Sequence, residues 1–316
     1  MSYPRLRPGA PLVTVFTSTV YPDVARLWHA CVSRAFPAAE ARLEIFQDSE
    51  RGDLDPGLYP GATILHRTAS RREFHDAYND AVARVETPYL AFVDSDVFWI
   101  SRGLWEWVKD RLAAPRVAAV SCVSRTRRPS HGTFAVVLKV AAYREVFARS
   151  LPRGFFPAAV RPDPSVSWES WEWYDTGDLA AKAVADAGWQ IDLLHRDEQG
   201  EIFRLHGITL SRRGGEHFGG ANLLRMAGKD RYYFRGCAGN LVLKDLHDRL
   251  FPAGPRYDFP LGARALARAG RYNPPAEAEW RRGYRRQLRE GARHLEAFVR
   301  GTAADAGAPG APGVKV

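Results

Sequence analysis

Three short apolar runs set the pattern of the amino-terminal third. Leu12 to Val20 (LVTVFTSTV), Arg42 to Gln47 (RLEIFQ) and Pro88 to Val93 (PYLAFV) are rich in β-branched and aromatic residues and nearly unbroken in hydrophobicity. Strands buried on both faces of a parallel sheet read this way. Between them lie stretches with helical spacing of apolar positions: Val24 to Phe36, after the turn Tyr21-Pro22-Asp23, and Arg72 to Val85. The alternation of strand and helix predicts βαβ crossovers and an α/β fold, a mostly parallel sheet flanked by helices. Asp48 to Gly61 reads as a polar loop.

Farther along the pattern loosens. Leu104 to Leu112 predicts a Trp-containing helix and Val117 to Val123 a strand; Phe134 to Val140 is another apolar stretch, after which a Pro/Gly-rich loop runs to Pro164. Asp178 to Ala187 predicts a helix closed by Gly188, with a strand around Trp189 to Leu194. Gly236 to Pro275 reads as loop with short elements. Near the end, Trp280, Tyr284, Leu288, Leu295 and Phe298 recur at intervals of three, four or seven, with Arg281, Arg282, Arg285, Arg286, Arg289 and Arg293 on other faces. That is one amphipathic basic helix. It either packs on the body with a solvated arginine face or makes peripheral contact with a membrane surface or an acidic partner. The Ala/Gly/Pro-rich tail 301–316 is expected to be disordered. The expected domains are a catalytic domain over 1–235, with a nucleotide-binding half at 10–100 and an acceptor half at 101–235, then a loop-and-helix extension over 236–300.

Composition narrows the class. With 46% hydrophobic residues and nine Trp the chain can bury a large core. No run of about 18 uncharged apolar residues occurs, and the opening MSYPRLRPGAPLVTVF lacks a signal-peptide pattern, so a cytoplasmic location is expected. Cys31, Cys122 and Cys237 are far apart and odd in number, which suits reduced, buried thiols. A net charge of +9 favours anionic partners, whether a diphosphate, an anionic acceptor or a membrane surface. Nucleic acid is set aside, because the basic residues are dispersed among acidic ones and no zinc-finger or RNP-type signature accompanies them.

In parallel sheets the ligand crevice lies beyond the carboxyl ends of the strands, which brings Thr17 to Thr19, Asp48 and Asp94 to Asp96 to one rim. YLAFVDSDVFWI sets two carboxylates one residue apart at the end of a buried strand. Ionised groups are costly there unless a cation or hydrogen bonds compensate them. Mg2+ and Mn2+ prefer carboxylate oxygens and leave positions that a diphosphate can fill. The plainer reading has Asp94 capping a turn and Asp96 a helix.

The opening strand TVFTS with YPD after it, the strand-end Asp48-Ser49, the block NDAVARVETPYLAFVDSD and the later block YDTGDLAAKAVADAGW together resemble GT-A glycosyltransferases of the family-2 type over roughly residues 10 to 195. The resemblance implies a Rossmann-like nucleotide-binding fold that moves a sugar from a UDP-, GDP- or dTDP-sugar to a glycan, a lipid-linked molecule or a small-molecule acceptor, with Mn2+ or Mg2+ as cofactor. It also implies that Thr17 and Asp48 contact the nucleoside, that Ser18, Asn79 and Ser95 belong to the donor site, that Asp94 faces the ribose and metal, and that Asp96 faces the metal and diphosphate. In inverting relatives the later block begins Glu-Asp and supplies a general base. Here Tyr174 replaces the Glu, which leaves Asp175 as the expected base and Glu172 and Asp178 as substitutes, with helix capping as the competing role. His217 in GEHFGG resembles the His-Phe-x-Gly pattern of some retaining members and competes with His206 as a further metal ligand, so inversion and retention both stay open. Arg212, Arg213 and Lys229 would neutralise phosphate or form a solvated basic loop. Trp168, Trp171, Trp173 and Tyr174, interleaved with Glu169 and Glu172, would face an acceptor sugar or pack in the core.

Three other readings stand beside this one. A HAD-type phosphatase also uses a strand followed by Asp-x-Asp, although on its first strand, whereas two βα units precede the motif here. A nucleotidyltransferase would want a Gly-rich, Lys-containing loop that residues 12 to 24 lack. A non-catalytic sugar-nucleotide or glycan-binding protein is kept open by Tyr174.

Overall fold

The computed structural model of the protein describes residues 10–48, 54–66, 74–122, 134–150, 154–155, 176–196, 199–269 and 277–302. In chain order the elements are β1 (Val13–Thr19), α1 (Pro22–Ala35), β2 (Ala41–Gln47), a 3-10 turn (Pro56–Leu58), β3 (Ala62–His66), α2 (Phe74–Arg84), β4 (Tyr89–Val93), β5 (Val97–Trp99), α3 (Gly103–Leu112), β6 (Val117–Ser121), β7 (Ala135–Lys139), α4 (Val140–Ser150), α5 (Asp178–Asp186), β8 (Gln190–Leu193), β9 (Ile202–Arg204), α6 (Ile208–Lys229), α7 (Arg231–Leu250), α8 (Ala263–Arg268) and α9 (Glu277–Arg300). They divide into two compact units. The first comprises the chain through Thr19, Val32–Asp94 and Arg102–Arg196, and the second comprises Val20–Cys31, Ser95–Ser101 and the chain from Asp197 onward.

The first unit is the α/β body that the hydrophobic pattern predicts. Its seven strands run in the order β3-β2-β1-β4-β7-β6-β8. All neighbours are parallel except at β7, which is antiparallel to both β4 and β6. The central strands are buried along nearly their whole length, which is why they read as unbroken apolar runs. On one face Phe16, Phe92 and Tyr78 meet edge-on or tilted, with ring centroids 4.5 to 5.7 Å apart, and Tyr143, Phe155 and Val184 extend the same core. Each such side chain contributes about 1.5–3 kcal/mol through burial. The carboxyl end of α2 is closed by Arg144, which donates to the carbonyls of Val82, Ala83 and Val85 at 2.5 to 3.0 Å. Arg84, in its last turn, makes a two-pronged pair with the buried Glu44 of β2 at 2.7 and 2.8 Å.

Two elements here depart from the sequence reading. β3 is an edge strand of five residues with no buried position, so its apolar signal is weak. α4 follows β7 without an intervening turn, and with no Gly or Pro between them the pair reads as one apolar stretch running into loop.

The second unit is helical, with a two-stranded antiparallel ladder of β5 and β9 (Val97↔Arg204, Trp99↔Ile202). The stretch read as loop from Gly236 begins inside the 20-residue α7. Its glycines serve close approach: a Cβ on Gly236 would collide with the carbonyl of Gly207, just before α6, and one on Gly239 would press on Ile208. Asn240 locks the junction, donating to Ile208 O, Ser211 Oγ and Gly236 O at 2.8 to 3.1 Å. α6 breaks at Gly219, whose backbone is non-helical (φ 74°, ψ 162°). α9 is the predicted amphipathic helix, burying Tyr284, Leu288, Ala292, Leu295 and Phe298. Arg281 is buried with them and donates to Ala227 O and Gly228 O at 2.8 and 2.9 Å.

All three cysteines are buried and outside any disulfide. Burial pushes the Cys237 thiol up to about 12 and that of Cys31 well above its ordinary range, as inert structural thiols require. No helix among the described residues is long and apolar enough to cross a membrane.

Candidate functional site

In the first unit the site begins at a reversal of strand order. β1 pairs with β2 on one side and β4 on the other, so the chain crosses to opposite faces of the sheet at this point, and ligands of doubly wound sheets bind in the crevice beyond such a reversal. The last registered β1–β4 pair is Phe16↔Phe92. Two residues farther on each strand stand Ser18 and Asp94, on the same side of the sheet by alternation. Across β1 the amide of Asp48 donates to Thr19 O at 2.7 Å. Ser18, Asp48 and Asp94 therefore gather at three adjacent strand ends.

Two hydrogen bonds help to hold Asp94. Its amide donates to Phe134 O at 2.9 Å, and Oδ1 accepts the Tyr78 hydroxyl at 3.1 Å. Tyr78 projects from α2 and is 2% exposed, so packing against Phe16 and Phe92 aims its hydroxyl. Sequence reasoning singled out its neighbour Asn79 and passed over Tyr78. The available signal was a tyrosine on the apolar stripe of α2 with Ala81, Val82 and Val85, because a buried phenol needs a partner. Asn79 serves another purpose: its Oδ1 accepts the Phe155 amide at 2.8 Å, and Gly154, at φ 60°, has no room for a Cβ against the same oxygen. Thr17 lies beneath the rim, fully buried, with a hydroxyl that has no partner among the described residues.

Ser95 and Asp96 open the second unit's share of the motif, both half-buried. The Asp96 carbonyl accepts the Leu205 amide at 3.0 Å, which continues the β5–β9 ladder and fixes the turn that carries the carboxylate. The charge of Asp96 reaches two buried phenols, Tyr257 and Tyr284. Both are raised above the ordinary tyrosine range, chiefly by burial, with Asp96 adding in the same direction.

The remaining candidates scatter. His217 is exposed on α6, two residues before the break at Gly219. His206 sits between β9 and α6, pushed down to about 3 by burial and then by Arg204 and Arg235, and so is neutral at physiological pH. Among the described residues no three His, Cys, Asp or Glu side chains converge as a metal-binding group. A half-buried carboxylate such as that of Asp94 nevertheless suits a hard dication that arrives with phosphate oxygens and keeps waters, as Mg2+ commonly does. Asp178 is 1% exposed in the first turn of α5, where unpaired amides and the helix dipole favour a carboxylate. Asp175, Glu172 and Tyr174, with Trp168, Trp171, Trp173 and Glu169, lie outside the described residues.

Arg212 does not serve as a free phosphate clamp. It is 3% exposed and paired two-pronged with Asp23 at 2.6 and 2.9 Å. Arg213 and Lys229 are exposed. On α9 the apolar face is buried, and Arg282, Arg286, Arg289 and Arg293 are exposed on the other.

No family model matches the chain, and no curated protein does. Solved structures with distant likeness include the mannosyltransferase PcManGT from Pyrobaculum calidifontis in complex with GDP-Man and Mn2+, at 17% identity over 92% of this chain and 87% of that one, with a TM-score of 0.46. Another is glucosyl-3-phosphoglycerate synthase from Mycobacterium tuberculosis, at 12% identity over 42% and 57% of the two chains and a TM-score of 0.34. A third is 2-C-methyl-D-erythritol 4-phosphate cytidylyltransferase from Thermus thermophilus, at 16% identity over 57% and 86% and a TM-score of 0.35. Likeness this distant decides nothing about activity, which rests on the residues.

Proposed function

We propose that the chain is a metal-dependent glycosyltransferase that moves a sugar from a nucleotide-sugar to an acceptor hydroxyl. One observation carries the reading: Asp94 stands at the end of β4, beside the strand-order reversal at β1, with its carboxylate oriented by Tyr78, and Asp96 follows two residues later at the head of β5. The segment Asp94-Ser95-Asp96 would hold Mn2+ or Mg2+, which supplies neutralisation of the charge developing on a diphosphate leaving group. Ser18 and Asp48, on the neighbouring strand ends, would meet the nucleoside. Thr17, enclosed beneath them, supports the rim. Asp175 is the proposed general base, taking the proton of the acceptor hydroxyl as it attacks the sugar, with Glu172 as its substitute. Asp178 ranks last because its carboxylate is enclosed at the start of α5. His217 remains a candidate further ligand only through its resemblance to the retaining pattern. The phosphatase reading needs the Asp-x-Asp on the first strand, and here β4 carries it.

The test is calorimetric binding of UDP-, GDP- and dTDP-sugars, with Mn2+ and with chelator, to the intact protein and to Asp96→Ala. One nucleotide should bind only with metal and lose its binding in the variant. No metal-dependent binding of any of them would sink the reading.

A further inference from the structure

Several arginines of the second unit have partners of their own. Arg231 pairs with Glu277 at 2.6 Å, Arg249 with Glu296 at 2.8 Å and Arg300 with Glu296 at 3.1 Å. Arg212 has Asp23, and Arg281 has the two carbonyls at the end of α6. The middle of α9 gathers several without one. Arg282, Arg285, Arg286 and Arg289 occupy one face at three- and four-residue spacing, where like charges repel. Among the described residues none of the four pairs with a carboxylate. Arg285 is half-buried near the Phe234 ring (5.3 Å), and burial together with Arg289 pushes its guanidinium down. These four side chains, with Gly283 and Glu279, line a recess of about 600 Å³, within the size range of small-molecule sites. Four cations without a carboxylate partner among the described residues thus share one recess.

We propose that this recess binds the phosphate or diphosphate group of a small anionic ligand. Planar guanidinium forks match phosphate oxygens two at a time, and several converging on one recess can surround a single group. A membrane surface is the weaker occupant. No aliphatic or aromatic side chain lines the recess, whereas surface-bound helices bury apolar residues beside their charges, and the apolar residues of α9 are spent on its own unit. Tyr284 and Gly291, which turn toward Asp96 and toward Phe203 of β9, lie on the opposite side of α9 from the arginines, so the recess is a site separate from the Asp-x-Asp motif.

Inorganic pyrophosphate, titrated calorimetrically into the full chain in excess EDTA, isolates the recess from any metal-borne donor. Saturable one-to-one binding is expected, at least tenfold weaker in Arg286→Gln/Arg289→Gln and unchanged in Arg213→Gln and Asp96→Ala, with melting curves confirming that each variant folds. Absent or unsaturable binding, or binding indifferent to the double variant, overturns the proposal. So does binding to vesicles rich in phosphatidylglycerol with none to pyrophosphate, which would assign the face to a membrane. Recess binding of pyrophosphate without metal-dependent nucleotide-sugar binding would support the anion site and overturn the glycosyltransferase reading instead.

Discussion

Arg212 and the arginines in the middle of α9 belong to the same unit and contribute equally to the net charge, yet they live under opposite conditions. Arg212 is enclosed: two bonds to Asp23, a third to the Asp258 carbonyl at 2.5 Å, and the rings of Tyr21 and Tyr257 at 3.9 and 4.8 Å. Asp23 in turn accepts the amides of Val24 and Asp258, both at 2.9 Å. Arg282, Arg286 and Arg289 are exposed and face one another. The first kind of cation is spent on tying α1 to α6 and the segment around Asp258, and the second is free to meet a ligand. A net charge read from composition cannot separate them, because pairing across 189 residues leaves no local trace.

The comparison breaks most sharply at Arg212. Arg212→Met leaves the Asp23 carboxylate buried without its cation, and such removals cost about 3–5 kcal/mol. Urea denaturation should show a loss of that order, and Asp23→Ala/Arg212→Met should lose less than the two single variants summed. Additive losses would mean that the pair is incidental. For Asp96→Ala the expected loss is at least about 100-fold in metal-dependent nucleotide-sugar binding, about 2.7 kcal/mol, with little change in melting temperature. Tyr78→Phe, which removes the bond that orients Asp94, should cost about 1.5–3 kcal/mol in the same binding. Gly236→Ala forces a methyl onto the Gly207 carbonyl and should destabilise by about 1–3 kcal/mol, a loss that a true loop glycine would not show.

That last case shows where the sequence was legible. β1, β2 and β4 could be read because burial on both faces leaves an unbroken apolar run, and their ends located Ser18, Asp48 and Asp94 without any side-chain detail. The α6–α7 pair could not be read, because Gly236 and Gly239 look like loop residues when their purpose is to let two backbones meet. The carboxylates of the site were visible as a pair at a strand end. Tyr78 was hidden, since its role depends on a ring packed against Phe16 and Phe92 from a different element. Arg212 was read either as neutralising phosphate or as part of a solvated loop, and neither reading could see its partner, which lies on α1.

His206 gives a comparison by pH. The unfolded chain takes up a proton near the ordinary histidine value of about 6.5, and the folded chain refuses it until about 3. Protonation therefore favours the unfolded state as pH falls between those values. The contribution is complete above about pH 6.5 and should diminish by up to about 2 kcal/mol at pH 5. His206→Gln should flatten that slope in denaturation midpoints measured from pH 7 to 5. An unchanged slope would place the imidazole in a more polar setting than the packing of β9 and α6 provides.

The smallest effect separates the two kinds of arginine most directly. Each like-charge pair at four-residue spacing costs a helix about 0.2–0.5 kcal/mol, screened by salt, and glutamine is nearly as good a helix former as arginine. Arg286→Gln/Arg289→Gln removes the 282/286 and 285/289 pairs without breaking an ion pair, so in dilute buffer the ligand-free variant should be more stable than the parent by several tenths of a kcal/mol, a gain that fades in molar salt. With saturating pyrophosphate the order should reverse, because a ligand that binds only the folded parent adds stability the variant lacks. For Arg212 no such reversal is available, since its anion is built into the chain. If the variant stays the more stable protein at every pyrophosphate concentration, the unpaired arginines are a solvated face and the distinction between the two kinds rests on burial alone.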